Sequence, residues 1–551
     1  MRKIKLLAVL LPAVLLSGCA GSGKEKAHIY ASPEIRTADG QVFALPLGAV
    51  YPLDESKISR AGAEAVCAAA QTEYSVEALN SLRFGENVFG AGLASVVYFG
   101  KYAANLTDSE WQTLAKIAES PAQYAPALTG SPVTGISPQA QYASRIPANA
   151  YFDAMTEQIV TDLTAAKGIT REEAFALLYT EGVTVETPFQ PAVQDAVDAV
   201  YSDNSSFAEG TNAFPQSACA VTDLSGNVAA MAAGNHGNTA YNRAFRTLHG
   251  IGSSVKPLSV YTPALAQHRI SFSSIVKDEP LRNAGQPDAY PQNFNGIYDG
   301  DITVTYALRQ SKNTVPVALC EELGGDVCLR YLRDTLHFST LTAQDNEAAA
   351  LVYGKFTRGV SMTELAAAYQ IYGNGGVYHT PRLYTRVTGQ DGKVLLEKAD
   401  KTEQAAAPAD AWIMNRLLYY NVAKDDGIAA AARLSDGSEV CGKTGTVGNG
   451  IDSDTDRLFV GLTPEYCAAV WIGYDAQNAV IDKLEYRVPG EIWKRIMERL
   501  PRTKTAFTAE SSVIEAEYCT QSGMLAGAHC PDKELGYYRA DELPGQCTKH
   551  G

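Results

Sequence analysis

The stretch Gly252-Ser253-Ser254-Val255-Lys256-Pro257 decides which fold the sequence predicts. Ser253 and Lys256 lie three positions apart, a spacing that puts the hydroxyl and the amine on one face of a helix and within reach of each other. A serine becomes a nucleophile when a neighbouring base can accept its proton. We therefore predict a helix that begins at Ser253 and runs to about Gln267, with an activated serine in its first turn.

A Ser-x-x-Lys match is weak evidence alone, since the chain holds a second one at Ser274-Ile275-Val276-Lys277. Two further motifs follow: Ser311-Lys312-Asn313 is a Ser-x-Asn triplet, and Lys443-Thr444-Gly445-Thr446 contains Lys-Thr-Gly. Other Ser-x-Asn triplets, at Ser202-Asp203-Asn204 and Ser225-Gly226-Asn227, precede both Ser-x-x-Lys stretches. Only the triplet at 311 lies between the other two motifs, and the three in this order are a strong signal.

These motifs and their surroundings resemble those of the class A, bifunctional penicillin-binding proteins. The resemblance covers residues 215 to 551 and includes the tail with Cys519, Cys530 and Cys547. The other resembling stretches are Asn242-Arg243-Ala244, Pro291-Gln292-Asn293-Phe294, Gly373-Asn374-Gly375-Gly376, Phe459-Val460-Gly461-Leu462-Thr463-Pro464 and Val470-Trp471-Ile472-Gly473-Tyr474-Asp475.

The resemblance implies an α/β (α+β) fold, the serine acyl-transferase architecture that penicillin-binding proteins share with β-lactamases. An antiparallel sheet would be flanked by helices and preceded by a smaller, mostly helical domain. The order of patterns along the chain agrees with this. A predicted hairpin turns at Leu224-Ser225-Gly226-Asn227, the helical block with Ser253 and the Lys443 strand follow, and a last hairpin turns at Pro464-Glu465.

By the same resemblance, Ser253 would attack the carbonyl of a D-Ala-D-Ala stem and become acylated. Lys256 would be the general base, and the like charge of Lys443 is expected to lower the pKa of its amine. Ser311 would relay the proton to the departing D-alanine, and Asn313 would hold the substrate amide.

The third motif is expected to recognise the substrate. Lys443, Thr444 and Thr446 would bind the terminal carboxylate, and Gly445 would let the strand approach the substrate closely. The backbone N–H groups of Ser253 and Thr446 would form an oxyanion hole. No metal or organic cofactor is implied.

The predicted function is therefore a peptidoglycan DD-transpeptidase that cross-links stem peptides and binds β-lactams. Two alternatives stay open: a DD-carboxypeptidase or other acyl-serine hydrolase such as a β-lactamase, and a catalytically inactive cell-wall binding protein. The motifs do not determine whether water or an amine takes the acyl group.

Another motif matches a pattern for a different chemistry, nucleotide binding. Residues 437–444 fit the P-loop pattern G-x-x-x-x-G-K-[ST]. A P-loop leads into a helix whose N-terminus binds phosphate, whereas here Gly445, Gly448, Asn449 and Gly450 form a turn-rich stretch. Nucleotide binding is therefore disfavoured. The net charge of −15 likewise argues against a nucleic-acid partner.

A weaker resemblance covers residues 73 to about 190. Leu79-Asn80, Phe84-Gly85, Gly90 and Tyr98-Phe99-Gly100-Lys101 are similar to the second half of the family's glycosyltransferase domain. The first half would carry a Glu-Asp-x-x-Phe-x-x-His stretch. This sequence has no Glu-Asp dipeptide, and no histidine between His28 and His236. We interpret the region as degenerate, with a helical core but no glycosyltransferase active site.

The N-terminus predicts export. Arg2, Lys3 and Lys5 precede the eleven-residue apolar run Leu6–Leu16, which is too short to span a bilayer because about 20 residues are needed. Such a run is typical of a signal peptide. Leu16-Ser17-Gly18-Cys19 resembles the lipobox of bacterial lipoproteins, which implies a lipid anchor on Cys19 at the extracytoplasmic face of the cell membrane. A plain cleaved signal peptide is the alternative.

The predicted division of the chain follows from these patterns. Residues 1–18 are a lipoprotein signal peptide, 19–72 a spacer, 73–200 a degenerate glycosyltransferase-like helical region, 210–505 the transpeptidase domain and 506–551 a cysteine-containing tail. Within the helical region, Thr107-Asp108-Ser109-Glu110 and Thr170-Arg171-Glu172-Glu173 are capping boxes that begin helices.

The sequence contains ten cysteines, and nine are left for other roles if Cys19 carries lipid. Disulfides are permitted outside the cytoplasm, so Cys519 with Cys530 is one candidate pair. Cys320 with Cys328, across a helical turn at Gly324-Gly325, is another. Free thiols are an equal alternative. No Cys/His group has the sequence spacing typical of a zinc site.

The lipid anchor generates a first prediction. Cys19→Ala should release the protein from the membrane fraction or block its processing, because the residue that would carry the lipid is gone. Fractionation and electrophoretic mobility measure this. Unchanged membrane association and mobility would contradict the lipoprotein interpretation.

Overall fold

A computed structural model describes residues 34–44, 53, 55–85, 88–99, 101, 103–120, 150–180, 183–203, 215–235, 242–286, 288–389, 391–448, 454–475, 479–481 and 486–550. The α-helices in these ranges are Arg60–Ala69, Val76–Ser81, Ala91–Phe99, Asp108–Glu119, Ala150–Lys167, Arg171–Thr180, Pro191–Tyr201, Thr262–Ala266, Val304–Arg309, Thr314–Leu323, Gly325–Arg330, Ala348–Leu351, Met362–Tyr369, Pro408–Ala423 and Val488–Met497. Shorter 3₁₀ or π segments are Ala103–Asn105, Gly252–Val255, Pro257–Tyr261, Tyr331–Thr335, Ala343–Asp345, Gln370–Tyr372, Ala430–Ala432 and Ala540–Glu542.

The strands, in chain order, are β1 Glu34–Thr37, β2 Val42–Ala44, β3 Arg83–Gly85, β4 Val88–Phe89, β5 Thr184–Thr187, β6 Gln216–Asp223, β7 Val228–Ala232, β8 Ile275–Asp278, β9 Gly300–Thr303, β10 Val377–His379, β11 Arg386–Thr388, β12 Val394–Glu397, β13 Thr402–Gln404, β14 Cys441–Gly448, β15 Asp454–Leu462, β16 Tyr466–Gly473, β17 Val513–Cys519 and β18 Lys533–Arg539.

The central sheet has the order β14-β15-β16-β6-β7, and every neighbouring pair in it is antiparallel. Alternate residues point to opposite faces of a strand. On β15, Leu458 and Val460 therefore join one core, while Phe459 joins another. Both cores are apolar, which explains the nearly continuous apolar sequence of β16 and of the second half of β15. The predicted antiparallel sheet flanked by helices is confirmed.

Both predicted hairpins are present. β6 and β7 pair across the turn at residues 224–227, where the Asp223 carboxylate accepts hydrogen bonds from the N–H groups of Ser225 and Asn227 at 2.8 and 2.9 Å. β15 and β16 pair across residues 463–465. Turn chemistry acts over a few residues, which is why these elements could be predicted from sequence.

The predicted helix at Ser253 is present but irregular. A 3₁₀ turn at Gly252–Val255, a π segment at Pro257–Tyr261 and an α-helical turn at Thr262–Ala266 follow one another to the C-cap at Gln267. Proline has no N–H to donate and is therefore tolerated at the start of a helical segment, as at Pro257. These segments are buried from Gly252 to Leu265 except at Ser253, which is half-buried.

The predicted helical region 73–200 is divided among three cores, one of which receives helix Pro191–Tyr201 through Val193 and Val197. Trp111 and Leu114 of helix Asp108–Glu119 pack with Val66 in a core of their own. Helix Ala150–Lys167 instead buries one face in the main core. An apolar helix face does not specify its packing partner, so the sequence pattern could not show this division.

A second sheet joins the early and late parts of the chain. Its order is β12-β11-β5-β1-β2, in which β5 pairs with β1 in parallel and with β11 in antiparallel orientation. The predicted spacer, residues 19–72, therefore contributes β1 and β2 to this sheet and helix Arg60–Ala69 to the first core. The helix starts at Thr107 and Thr170 have the expected capping hydrogen bonds.

The tail forms the antiparallel hairpin β17–β18 and packs on the main core through Tyr518, Tyr537 and Tyr538. The sequence shows no zinc spacing among its cysteines, but the structure brings three of them together. Cys519, Cys530 and Cys547 converge with His550 in a group able to hold a metal ion. The spacing Cys-x₁₀-Cys-x₁₆-Cys-x₂-His lacks the short Cys pair that normally reveals such a site in a sequence.

Two other sequence interpretations concern cysteines and the membrane. Cys320 and Cys328 are neighbouring buried thiols rather than a disulfide. The predicted lipobox at Cys19 lies outside the described residues. Within the described ranges, no helix is both long and apolar enough to cross a membrane.

Candidate active site

Ser253 is held against the edge strand β14 by a contact between backbones. Gly252 has φ of +56°, and a Cβ on it would lie 2.3 Å from the backbone nitrogen of Thr446. A Cβ on Gly445 would lie 2.2 Å from the carbonyl oxygen of Ile251. Glycine is therefore required on both sides of this contact, because any side chain would push the serine turn away from the strand.

A third glycine completes the contact. A Cβ on Gly354 would lie 2.4 Å from the carbonyl oxygen of Gly252, and the Gly354 carbonyl accepts a hydrogen bond from the N–H of Ile251 at 3.0 Å. The serine turn is thus fixed between Gly354 on one side and β14 on the other.

The two adjacent serines differ in their surroundings. Ser254 is fully buried, and its hydroxyl donates a hydrogen bond to the carbonyl of Ile251 at 2.6 Å. Ser253 is half-buried, and its hydroxyl makes no hydrogen bond with any part of the chain that the structure describes. Ser254 therefore stabilises the turn, while Ser253 is available for chemistry.

Lys256 connects the serine turn to the second motif. Its Nζ donates hydrogen bonds to the carbonyls of Ser311 and Lys312 at 2.9 and 3.0 Å, and to Oδ1 of Asn313 at 2.6 Å. No hydrogen bond joins Lys256 to Ser253 within the described residues, although the two share a turn. The amine that the sequence predicts as a base is therefore present but directed toward other acceptors.

Lys443 on β14 approaches the second motif from the other side. Its Nζ donates to Oγ of Ser311 at 2.8 Å and to the carbonyl of Thr444 at 3.1 Å. Lys256 and Lys443 are both fully buried, and neither forms a salt bridge with a described carboxylate. The site thus has two buried amines and no described counter-ion, which suits an anionic ligand.

The pKa values of both amines are lowered. Burial lowers the pKa of Lys256 well below its ordinary value, and the neighbouring Lys443 lowers it further. The expected effect of Lys443 is present, but burial is the larger cause because it disfavours the charged form of any amine. Burial also lowers the pKa of Lys443 to about 7.

Ser311 has a strained backbone. Its φ of +51° lies in the left-handed region, at the position after helix Val304–Arg309 where glycine is usual. Such a conformation costs a non-glycine residue roughly 1–2 kcal/mol. Here the serine hydroxyl is the group that contacts Lys443, so the strained position carries a side chain that glycine could not supply.

Lys312, between the two polar residues of this motif, faces a different environment. Its Nζ lies 2.7 Å from Asp278, which is fully buried, and 2.6 Å from Asp299. Burial alone would lower the pKa of Lys312, but hydrogen bonds to these carboxylates raise it. Lys312 is therefore a charged structural anchor that holds Ser311 and Asn313 on either side.

Asn313 is positioned by a loop. Its Nδ2 donates to the carbonyl of Gln292 at 2.7 Å, and its N–H donates to Oδ1 of Asn293 at 2.8 Å. Asn293 in turn donates to Asp278 at 2.6 Å. Residues 291–294 carry part of the family resemblance, but no sequence pattern indicates the positioning role of this loop or of Asp278. The roles of the loop and of Asp278 depend on contacts between residues 15 to 36 positions apart in the chain, which no local sequence pattern reveals.

The structure brings the predicted site residues together. Lys256, Ser311, Asn313 and Lys443 are joined by the hydrogen bonds above, and Ser253 lies in the turn that contacts β14. On β14, Thr444 and Thr446 are half-buried beside Lys443, and Gly445 is buried against the serine turn. Because β14 is the outermost strand of its sheet, one edge of this segment has no neighbouring strand among those described.

The competing motifs do not form sites. Lys277 is on strand β8, is 65% exposed and pairs with Asp301, while Oγ of Ser274 accepts a hydrogen bond from the N–H of Ser271. Residues i and i+3 of a strand face opposite sides. Lys443 and Thr444 lie within β14 rather than at the start of a helix, so the geometry of a P-loop is absent there.

The chain is similar to known proteins in family, sequence and structure. A family model described as "Penicillin binding protein transpeptidase domain" matches residues 216–498, just over half of the chain. A second, described as "Transglycosylase", matches residues 65–142.

Curated relatives include penicillin-binding protein 1A of Clostridium acetobutylicum, which is 30% identical over 478 residues, 76% of this chain and 58% of the relative. Penicillin-binding protein 1F of Bacillus subtilis is 28% identical over 468 residues, 80% of this chain and 63% of the relative. The chain thus spans about three-fifths of the length of these relatives.

Solved structures share the fold. The crystal structure of penicillin-binding protein 1A from Haemophilus influenzae is similar with a TM-score of 0.60 and 18% identity, covering 94% of this chain and 99% of that one. The structure of the PonA1 protein from Mycobacterium tuberculosis in complex with penicillin V has a TM-score of 0.53 and 22% identity, covering 65% and 95%.

The contact between Gly252 and Thr446 generates a second prediction. Gly252→Ala should slow labelling by a fluorescent penicillin about 10²-fold, the loss typical of a misplacement of roughly 1 Å in a reacting group. The added methyl would overlap the Thr446 backbone, so the serine turn must shift. Gly490→Ala is the control, since a Cβ there meets no atom closer than 3.7 Å. Equal labelling rates in the two variants would contradict the prediction.

Proposed function

Because this chain belongs to the penicillin-binding protein transpeptidase domain family, we propose that it is a serine-type D-Ala-D-Ala transpeptidase that cross-links peptidoglycan stem peptides and binds β-lactams at Ser253. One observation carries the proposal: two buried amines without a described counter-ion, Lys256 and Lys443, converge on Ser311 beside an unbonded serine hydroxyl. This arrangement supplies a nucleophile, a base and a positive site for a carboxylate.

Acylation begins at Ser253. Oγ of Ser253 bonds to the carbonyl carbon of the penultimate D-alanine, and its proton passes to Nζ of Lys256. A neutral amine has two N–H groups and one lone pair, so it must release one of the three acceptors that it now contacts. Its lowered pKa supports this role, since only the neutral form can accept a proton.

The negative charge that develops on the carbonyl oxygen needs nearby donors. We assign this role to the N–H groups of Ser253 and Thr446, whose backbones meet at the Gly252 contact. When the peptide bond breaks, Ser311 relays the proton from Lys256 to the nitrogen of the departing D-alanine. The hydrogen bond from Lys443 to Oγ of Ser311 supports this role. Lys256 contacts the carbonyl of Ser311 rather than its hydroxyl, so the relay requires the Lys256 amine to turn to Oγ.

Substrate recognition involves the remaining residues. The terminal carboxylate of the stem would lie by Lys443, Thr444 and Thr446, and a bound anion would favour the charged form of the Lys443 amine. Asn313, held by residues 292 and 293, would contact the stem amide. Gly445 leaves room for an extended peptide beside the open edge of β14.

Transfer regenerates the enzyme. The amine of a second stem peptide bonds to the acyl carbon and gives up a proton, the bond to Oγ of Ser253 breaks, and Oγ is protonated again through Lys256. With water in place of the amine, the same site would act as a DD-carboxypeptidase. The edge of β14 with which no described strand pairs favours a long peptidic substrate but does not discriminate between these acceptors.

We propose in addition that residues 73–200 no longer polymerise glycan, although the transglycosylase match covers residues 65–142. The supporting observation is that this sequence contains no Glu-Asp dipeptide and no histidine between His28 and His236. What remains is the helical core around Trp111. The proposed division of the chain, with a transpeptidase domain over 210–505 and a tail over 506–551, follows the predicted boundaries.

We also propose that the protein acts on the extracytoplasmic face of the bacterial cell membrane, anchored by lipid on Cys19. The basic start and the apolar run at residues 6–16 support export. No nucleic-acid partner is expected for a chain with this net charge.

The nucleophile provides the third prediction. Ser253→Ala should abolish labelling by a fluorescent penicillin, and Ser274→Ala, in the second Ser-x-x-Lys match, should leave it unchanged. Lys256→Ala should slow acylation by more than the roughly 10²–10⁴-fold typical of an acid–base group. Mass spectrometry of the acylated protein locates the adduct. An adduct on any other residue would refute the assignment.

The reaction itself is tested by incubating the protein with a D-Ala-D-Ala stem peptide, with and without an acceptor amine. A product that contains the acceptor, absent in Ser253→Ala, is expected for a transpeptidase. Release of D-alanine by hydrolysis alone would identify a carboxypeptidase. Covalent labelling without turnover of either kind would identify an inactive binding protein.

The degenerate region provides the fourth prediction. Purified protein should not polymerise lipid II under conditions in which a bifunctional penicillin-binding protein does so, because the stretch bearing the acid is missing. Electrophoresis of the glycan products measures this. Glycan strands formed by this protein alone would show that the region retains an active site.

A further inference from the structure

The C-terminal tail holds a compact group of soft ligands. The sulfur atoms of Cys519, Cys530 and Cys547 and a ring nitrogen of His550 all lie within 4.8 Å of one another. The three cysteines are buried and are free thiols, and the histidine is half-buried. Three elements supply these residues: the end of β17, the loop before β18 and the last residues of the chain.

The spacing of the ligand atoms suits a tetrahedral ion. With Zn–S near 2.3 Å and Zn–N near 2.0–2.1 Å, a sulfur and a nitrogen on one tetrahedral zinc are about 3.5 Å apart. Sγ of Cys519 and Sγ of Cys547 are each 3.4 Å from Nδ1 of His550. Three cysteines and one histidine form one of the closed donor sets of structural zinc sites.

Outer contacts orient the ligands. Nε2 of His550 lies 3.2 Å from Oε1 of Gln521, an acceptor that places the ring proton on Nε2 and leaves the Nδ1 lone pair directed at the sulfurs. Oγ of Ser522 donates to Sγ of Cys547 at 3.2 Å, and the N–H of Gly527 donates to Sγ of Cys530 at 3.3 Å. Donors of this kind stabilise thiolates, the form that binds a metal.

We propose that Cys519, Cys530, Cys547 and His550 bind a structural Zn²⁺ ion. The competing arrangement is a disulfide between two of the cysteines, as the sequence analysis considered for Cys519 and Cys530. A disulfide would leave the third sulfur and the oriented imidazole without a partner, whereas zinc uses all four groups. The proposal does not depend on the proposed transpeptidase activity.

The ion would hold three segments of the tail together, and the hairpin that it braces is the part docked on the catalytic domain. Beside the cluster, the N–H of Leu525 donates to the carbonyl of Gly545 and the N–H of Cys547 donates to the carbonyl of Leu525. The hairpin itself is docked on the loop before β8: Tyr538 donates to Oγ of Ser273 at 2.8 Å, and Ser273 donates to the carbonyl of Gly523 at 2.6 Å. Strand β8 ends at Asp278, the anchor of Lys312.

The test is metal analysis of the full chain. Protein loaded with zinc and freed of excess should contain one zinc ion per chain, and cobalt should give the absorption of a tetrahedral site with thiolate ligands. His550→Ala and Cys530→Ser should each weaken zinc binding by at least about tenfold, and Gln521→Ala about 10–100-fold, as expected for a residue that orients a ligand. Chelation should increase hydrogen exchange in residues 519–550.

His529→Ala is the matched control, because His529 is exposed, precedes Cys530 and is not part of the group. It should bind zinc like the unmodified chain. Circular dichroism and thermal unfolding show that each variant has folded. The proposal is overturned if folded protein binds no zinc, or if His529→Ala weakens zinc binding as much as His550→Ala does. It is also overturned if the mass of the isolated protein is two hydrogens lower because two of these cysteines form a disulfide.

Discussion

The contact between the backbones of Gly252 and Thr446 is the constraint on which the rest of the site depends. A Cβ at position 252 would lie 2.3 Å from a backbone nitrogen, so the serine turn and the edge strand β14 meet with no side chain between them. This close approach sets Ser253 beside the Lys-Thr-Gly segment and buries Lys256 and Lys443 on either side of Ser311. The three motifs, nearly 200 positions apart from first to last, become one site only through it.

Burying two amines without a described carboxylate is unfavourable, and the fold must offset that cost elsewhere. It does so with neutral acceptors, since both amines donate to carbonyl, hydroxyl or amide oxygens. Among the three motif lysines, only Lys312 is paired with described carboxylates. Its ion pairs with Asp278 and Asp299 keep it away from the reactive groups. Strain at Ser311 and the lowered pKa values are features of a site organised before its ligand arrives.

Support for the site comes from distant parts of the chain. Asp278 accepts hydrogen bonds from Asn293 and Thr314 as well as pairing with Lys312, and so joins the loop that holds Asn313 to the helix that follows it. The loop before its strand is docked on the tail through Ser273. The tail, which has no motif residue, is thus part of the structure that positions the second motif.

Much of this protein could be predicted from its sequence where the cause is local. The structure contains the two hairpins and the capping boxes at Thr107 and Thr170. Each of these, like each of the three motifs by itself, depends on residues within a few positions of one another. Tertiary structure alone decided which core receives helix Ala150–Lys167, how far burial lowers the pKa of Lys256, and that Cys519, Cys530, Cys547 and His550 meet. These depend on distances between residues that are far apart in the chain, and such distances exist only after the chain has folded.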